Sequence, residues 1–204
     1  MVAPAAGKRS SENLSLRERH KVRTRAAIRS AAMRLFAEHG YGRTTVEQIA
    51  REAEVSHTTF FRYFQTKEQV VISDDLDSAR AAVLEALPDD LGHFELLRRL
   101  ITEGYHLSLA DEWASDPARM RLIRSEPALR LAYQLYSERA ISDAAQFFAD
   151  YTGHGTDDLE LRVFVGVIGG IMFNLAQAVE DPRDEKTLSD LLSAVDLVER
   201  GLPL

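Results

Sequence analysis

The chain has 204 residues, 45% hydrophobic and 28% charged, enough for one large globular domain or a small one joined to a medium one. It contains no cysteine, which excludes disulfides, thiolate metal sites and cysteine nucleophiles. The formal net charge of -7 argues at first against a polyanionic partner. The charge is segregated, however. Residues 8–67 carry thirteen Lys and Arg against six Asp and Glu, and the remainder carries twelve against twenty-six. That pattern suits a cationic head on an acidic body, with plain solvated surface as the alternative. The opening residues lack the apolar segment of a signal peptide, and no apolar run is read as approaching the roughly 20 residues that span a bilayer. The expectation is a soluble cytoplasmic protein with a flexible arm over residues 1–15, no metal or cofactor, and no membrane partner.

Apolar positions recur at helical spacing almost throughout, so the fold is expected to be all-α. A first helix is predicted over about Leu16–His39, with the apolar stripe Val22, Ala26, Ile28, Ala32, Leu35 and Phe36. Arg17, Arg19, Lys21, Arg23, Arg25 and Arg29 crowd its first half, and Gly40 stops it. Thr44 or Thr45 caps a second helix to about Ala53, and Ser56 caps a third over residues 57–63. A long fourth helix is predicted over 67–86, ended by Pro88. Further helices are expected over 93–110, after Asp116-Pro117, from Pro127 to before Gly153, over 157–180 and over 184–200. The total is nine, three forming the cationic head (16–66) and six the acidic body (67–204).

The stretch Thr44–Lys67, TTVEQIAREAEVSHTTFFRYFQTK, has the organisation of a helix-turn-helix. Val46, Ile49, Ala50, Val55, Phe60 and Phe64 form its expected core. A short helix with polar and basic groups at an open N-terminal end fits a DNA major groove. His57, Thr58 and Thr59 lie at the tip and can meet base edges. Arg62 suits a guanine edge or a phosphate, and Tyr63 and Lys67 suit phosphates. Thr44 and Thr45, with Arg43 beside them, offer a phosphate site at the start of the second helix. Lys8, Arg9, Arg17 and Arg19 extend the positive surface.

These residues resemble the DNA-binding domain of the tetracycline-repressor (TetR) family. The matching string is AAMRLFAEHGYGRTTVEQIAREAEVSHTTFFRYFQTKEQVV, with Gly40-Tyr41, Thr44-Thr45, Ile49-Ala50, Tyr63-Phe64 and Lys67 on the pattern's fixed points. The resemblance implies DNA contacts from Thr45, His57, Thr58, Thr59, Phe61, Arg62, Tyr63 and Lys67. Arg43, Thr44 and the capping Ser56 are added from the residue chemistry. Two departures stand out. Glu54 occupies a turn position where the family often has glycine, and Phe61 lacks a hydroxyl often present there.

For the body the resemblance implies a small-molecule site and a homodimer. Gly166, Gly169 and Gly170 interrupt a predicted helix, each at about 1 kcal/mol against alanine, and so ask for a close helix neighbour. With Phe173, Leu188, Leu191, Leu192 and Val195 they form a candidate dimer interface, ordinary internal packing being the alternative. Phe94, Tyr105, His106, Trp113, Tyr133, Tyr136, Phe173, Asn174 and Gln177 are the candidate ligand residues. The segment Arg121–Ala140 also resembles a branch of the family with acyl-CoA-like ligand domains, including regulators beside mycofactocin genes. That implies a hydrophobic, acyl-CoA-like effector with Arg121, Arg124 and Arg130 as phosphate partners, or else ion pairs of these arginines with Glu126 and Glu138. The expected function is a ligand-responsive repressor binding a palindromic operator as a homodimer. A DNA-binding architectural or constitutive regulator without a switch is the alternative. No HExxH, GxSxG, P-loop or dinucleotide-binding pattern occurs, so no catalytic residue is assigned.

Overall fold

The computed structural model describes residues 15–203, which are helical and contain no strand. The arm expected over 1–15, with Lys8 and Arg9, lies outside the described residues apart from Ser15. Ten helices occur among the described residues, against nine expected. They are α1 (Leu16–His39), α2 (Val46–Glu52), α3 (His57–Tyr63), α4 (Lys67–Ile72), α5 (Asp77–Glu85), α6 (His93–Ala110), α7 (Pro117–Ser125), α8 (Pro127–Thr152), α9 (Leu159–Ala178) and α10 (Glu185–Glu199). The chain divides into two compact units, with the boundary between Val71 and Ile72.

In the first unit α1 starts at a reciprocal cap. The Ser15 hydroxyl accepts from the Glu18 N–H, and the Glu18 carboxylate accepts from the Ser15 N–H. Its buried row is Thr24, Ile28, Ala31, Ala32, Leu35 and Phe36. Val22 and Ala26, expected in that row, are exposed. Four residues back from Ile28 is Thr24, whereas Val22 falls on another side of the helix. Arg25 and Arg29 also depart from the expected outer surface. The Arg25 guanidinium lies 4.3 Å from the centre of the Phe64 ring and donates to the Tyr63 carbonyl at 2.9 Å. Arg29 is buried and lies 5.7 Å from the same ring. Planar guanidinium on an aromatic face keeps these cations favourable inside the head.

The long fourth helix predicted over 67–86 is two helices. Asp74 breaks it. Its carboxylate accepts from the Leu76 N–H at 3.1 Å, a local bond that competes with the helical ladder. Both its oxygens also accept from Arg80, at 2.9 and 2.8 Å. Burial alone would raise the Asp74 pKa. The Arg80 hydrogen bonds and charge, with the Leu76 N–H, outweigh it and hold the carboxyl below the ordinary value of 3.8.

The core of the second unit joins Leu96 and Leu97 of α6, Phe148 and Ala149 of α8, Leu161, Val165 and Ile168 of α9, and Val195 of α10. Arg98 of α6 ties this core's edge to α10 through Asp196, at 2.8 Å, and Glu199. α7 starts where Asp116 caps the Ala118 N–H and Pro117 occupies the first turn, and α8 ends at Gly153 with φ +74°. Contrary to the sequence expectation, α9 is long and apolar enough to cross a membrane, with mean hydropathy 1.6 over its most apolar stretch. It packs on α8 and α10, yet only 17% of that stretch is buried.

Because its folded pKa is depressed, Asp74 contributes stability that is present above its unfolded pKa and lost as the pH falls through the lower folded value. Asp74→Asn is therefore expected to lower unfolding free energy by about 1–3 kcal/mol at neutral pH. The deficit should shrink as the pH drops below 3.8. Urea melts of both proteins across that range check it, and a deficit independent of pH would refute it.

Candidate functional site

The head's helix-turn-helix is built by two side-chain caps and one strained residue. Thr45 caps α2, accepting from the Gln48 N–H while the Gln48 side chain accepts from the Thr45 N–H. The turn after α2 passes through Glu54 at φ +54°, a conformation costing a non-glycine residue about 1–2 kcal/mol. The turn closes all the same, with Val55 N–H donating to Ala50 O at 2.9 Å. Ser56 then caps α3, accepting from the Thr59 N–H at 3.0 Å. Phe60 and Phe64 are buried together with Ile49 and Ala50, while Val46 and Val55 are half-buried.

That packing fixes what α3 leaves outside. His57, Thr58, Phe61 and Arg62 are exposed, and Thr59 and Tyr63 are half-buried. Thr59 is further engaged, its hydroxyl lying 2.9 Å from that of Ser56. The His57 ring packs edge-on against Phe61, with a ring nitrogen 3.5 Å from the Glu47 carboxylate. Arg62 lies 5.1 Å from the centre of the Tyr63 ring. Arg17, Arg19, Lys21 and Arg23 are exposed on α1. The unit therefore exposes a polar helix tip on α3 and a row of cations on α1, groups able to hold phosphates and reach base edges.

Two expected DNA contacts are turned inward. Thr44 is buried, and its hydroxyl donates to the carbonyls of Gly40 at 2.9 Å and Leu35 at 3.3 Å. It closes the end of α1 instead of offering a phosphate site. The Lys67 ammonium donates to the carbonyls of Tyr41 at 2.8 Å and Thr44 at 3.0 Å, and lies 4.1 Å from the Tyr41 ring centre. Tyr41 in turn donates to the Glu68 carboxylate at 2.5 Å. This clasp holds the α1–α2 connection against the start of α4. Arg43 is exposed, with Nε donating to His39 O at 2.7 Å.

The body holds a cavity of about 430 Å³ among α6, α8 and α9. Leu97, Leu100, Ile141, Phe148, Ile168 and Met172 supply much of its apolar wall, and Tyr133, Tyr136 and Phe173 complete it. The other candidate ligand residues lie elsewhere. Phe94 packs with the rings of His93 and Phe164. Tyr105 donates to Asp184 O at 3.2 Å, and Trp113 donates to Ser73 O at 2.9 Å. His106 and Asn174 are exposed, and Gln177 lines an outer cleft with Arg121 and Arg124. Arg124 donates to the Val179 and Glu180 carbonyls and Arg130 to Arg124 O, so the expected ion pairs with Glu126 and Glu138 do not form among the described residues.

The candidate interface residues also separate. A side chain at Gly169 would meet Ile141 of α8 at 2.7 Å, so that glycine serves internal α8–α9 packing. Val195 is fully buried in the core, and Phe173 stacks on Tyr133 with ring centres 6.2 Å apart. Val195 and Gly169 thus serve internal packing, while Phe173 is half-buried. Gly166 and Gly170 are exposed with open space about them, and Leu188, Leu191 and Leu192 are half-buried on α10.

Residues 91–203, more than half of the chain, match the MftR C-terminal domain family, and residues 28–73 match the family described as bacterial regulatory proteins, tetR family. The chain belongs to the TetR family. It is 36% identical over 152 residues to the HTH-type transcriptional regulator TcmR of Streptomyces glaucescens, covering 70% of this chain and 66% of that one. It is 29% identical over 181 residues to MftR of Mycobacterium tuberculosis, which bears the name of a mycofactocin biosynthesis transcriptional regulator; the match covers 86% and 89% of the two chains. A crystal structure described as a TetR-family regulator from Mesorhizobium loti has the same fold, with TM-score 0.54, 22% identity, and 88% and 97% of the chains covered. As a TetR-family transcriptional regulator, the protein carries its DNA-binding helix-turn-helix in the unit described above.

Sequence reasoning missed the inward guanidiniums of Arg25 and Arg29 and the charged group Asp74, Arg80 and Arg119. The only signal for the second group was Ser73-Asp74-Asp75, three helix-competing residues in a predicted helix. In this TetR-family head, Lys67→Met is expected to cost about 1–3 kcal/mol of stability through loss of the charge-assisted bonds to Tyr41 and Thr44. Thermal melts followed by circular dichroism check this. An unchanged head melt with a reduced salt slope for DNA binding would return Lys67 to a purely phosphate-contacting role.

Proposed function

We propose that this TetR-family regulator is a ligand-responsive repressor that binds a palindromic operator as a homodimer. The observation that carries the reading is the α3 tip. Its apolar residues Phe60 and Phe64 are consumed by the core of the head, while His57, Thr58 and Arg62 stay exposed beyond a capped N-terminus. In a major groove Thr58 and Arg62 read base edges, with Thr59 and Phe61 beside them. Thr45, Arg43, Tyr63 and the α1 cations hold the backbone. The third proton of the Lys67 ammonium remains able to add a phosphate contact.

The homodimer is supported by α9. A largely apolar helix with 17% of its most apolar stretch buried needs a cover, and Gly166 and Gly170 leave room for another backbone to approach. Exposed Leu159, Val163 and Leu197 extend the patch. A twofold pair of heads matches half-sites about 34–36 Å apart. The ligand response is supported by the apolar cavity, which suits a hydrophobic effector. Binding shifts the regulator between head spacings, and the effector weakens the operator complex in proportion to its preference for the unbound form.

Selection of bound sequences from random DNA, followed by an effector screen on the enriched site, tests the whole reading. Operator affinity unmoved by any saturating ligand at fixed salt would leave a constitutive binder. Arg62→Ala is expected to cost about 1–3 kcal/mol on the best site and to relax preference at one base position. Equal affinity of wild type and variant for every site would remove Arg62 from the readout. Gly166→Arg with Gly170→Arg is expected to yield monomers with an intact body melt and much weaker operator binding. Sedimentation equilibrium checks it, and a variant that still dimerises would exclude this face.

A further inference from the structure

One group at the tip of α3 has no polar atom to offer an operator. Of the large apolar side chains on α2 and α3, only Phe61 is exposed, at 42%. It shares the outward side of α3 with His57, Thr58 and Arg62, which occupy the i, i+1, i+4 and i+5 positions of one helix face together with it. Phe60 and Phe64, turned the other way, are fully buried. We propose that Phe61 reads the 5-methyl group of a thymine in the major groove and so sets base preference at one position of each half-site. The inference rests on the reading of α3 as the groove-facing helix and adds a specificity-determining residue to it.

Chemistry excludes the other tasks open to a side chain on that face. The ring carries no N–H or O–H, so it can donate neither to a phosphate oxygen nor to an acceptor on a base edge. The bases of an intact duplex are stacked on one another, so their flat faces are closed to it. What the major groove offers an apolar ring is the thymine methyl. Covering that methyl removes apolar surface of both partners from water, which is the favourable direction for each.

The ring is also held in place for the contact. Phe60, anchored in the core of the head, meets it edge-on with ring centres 5.4 Å apart. His57, one turn earlier, meets it edge-on at 4.6 Å. The His57 ring is itself flanked by Glu47 of α2, with a ring nitrogen 3.5 Å from the carboxylate. Rings on two sides restrict Phe61 before DNA arrives, so less rotamer freedom is lost on binding. Thr58 and Arg62, on the same face, supply the donors that the ring lacks.

The site enriched by selection from random DNA provides the duplex for the test. Each thymine of one half-site is replaced in turn by deoxyuridine, which removes the methyl and keeps every hydrogen-bonding group of the base pair. Binding of the full-length protein is measured at fixed salt. At one position uracil is expected to weaken binding about fourfold, the value of one buried methyl. At the same position 5-methylcytosine should bind more tightly than cytosine by a similar factor. Phe61→Ala should bring the thymine-to-uracil affinity ratio to unity. A merely structural role for Phe61 would weaken both duplexes alike and leave that ratio in place. Should Phe61→Ala fail to fold, Phe61→Gln, a good helix former at an exposed position, takes its place with the same expectation. Uracil equal to thymine at every position, an enriched site without thymine, or a ratio that persists in the Phe61 variants would overturn the assignment and leave the groove-facing helix standing. Enrichment of no duplex at all would overturn both readings.

Discussion

A charge placed in an apolar helical bundle must bring its own partner, because desolvation costs more than a lone ion recovers. The cluster around Asp74 shows how far that requirement reaches in this molecule. To meet Arg80 with both oxygens, Asp74 leaves the helical path, and one long helix becomes α4 and α5. Arg119, buried nearby, answers its own need by donating to the carbonyl of Ile72. The break between α4 and α5 thus coincides with one electrostatic constraint.

The head obeys the same rule with different means. Arg25 and Arg29 enter the interior against the Phe64 ring, and the Lys67 ammonium spends two donors on the carbonyls of Tyr41 and Thr44. A cationic composition is therefore not a cationic surface. Arg25, Arg29 and Lys67 hold the helix-turn-helix together, and Arg17, Arg19, Lys21 and Arg23 on α1 with Arg62 on α3 face outward. The head remains suited to DNA because the outward set is the one with unspent hydrogen-bonding capacity at a capped helix start.

The glycines of α9 divide in a similar way. Gly169 admits the Ile141 side chain of α8, so its absent Cβ belongs to the fold of a single copy. Gly166 and Gly170, one turn apart on an exposed face, would carry a Cβ that meets no atom within 4 Å among the described residues. Their helix-propensity cost is not offset by packing within the described residues, and the proposed dimer would cover them.

Much of this was legible in the linear order of residues. Helical periodicity, the caps Thr45, Ser56 and Asp116, the prolines at 117 and 127 and the glycines at 40 and 153 determined an all-helical chain with nearly correct boundaries, because each acts on backbone within one turn. The helix-turn-helix was readable for the same reason. The apolar character of α9 could have been read from composition too, but its long exposed face could not. What only the tertiary structure decided were the partners: that Thr44 faces inward, that two arginines of α1 cross into the core, that Trp113 and Tyr105 brace backbone, and that Asp74 finds Arg80. Local pattern specifies where a side chain sits on its helix. The neighbour it meets comes from a different part of the chain, and burial and charge pairing between distant segments settle whether a polar residue serves the fold or the surface.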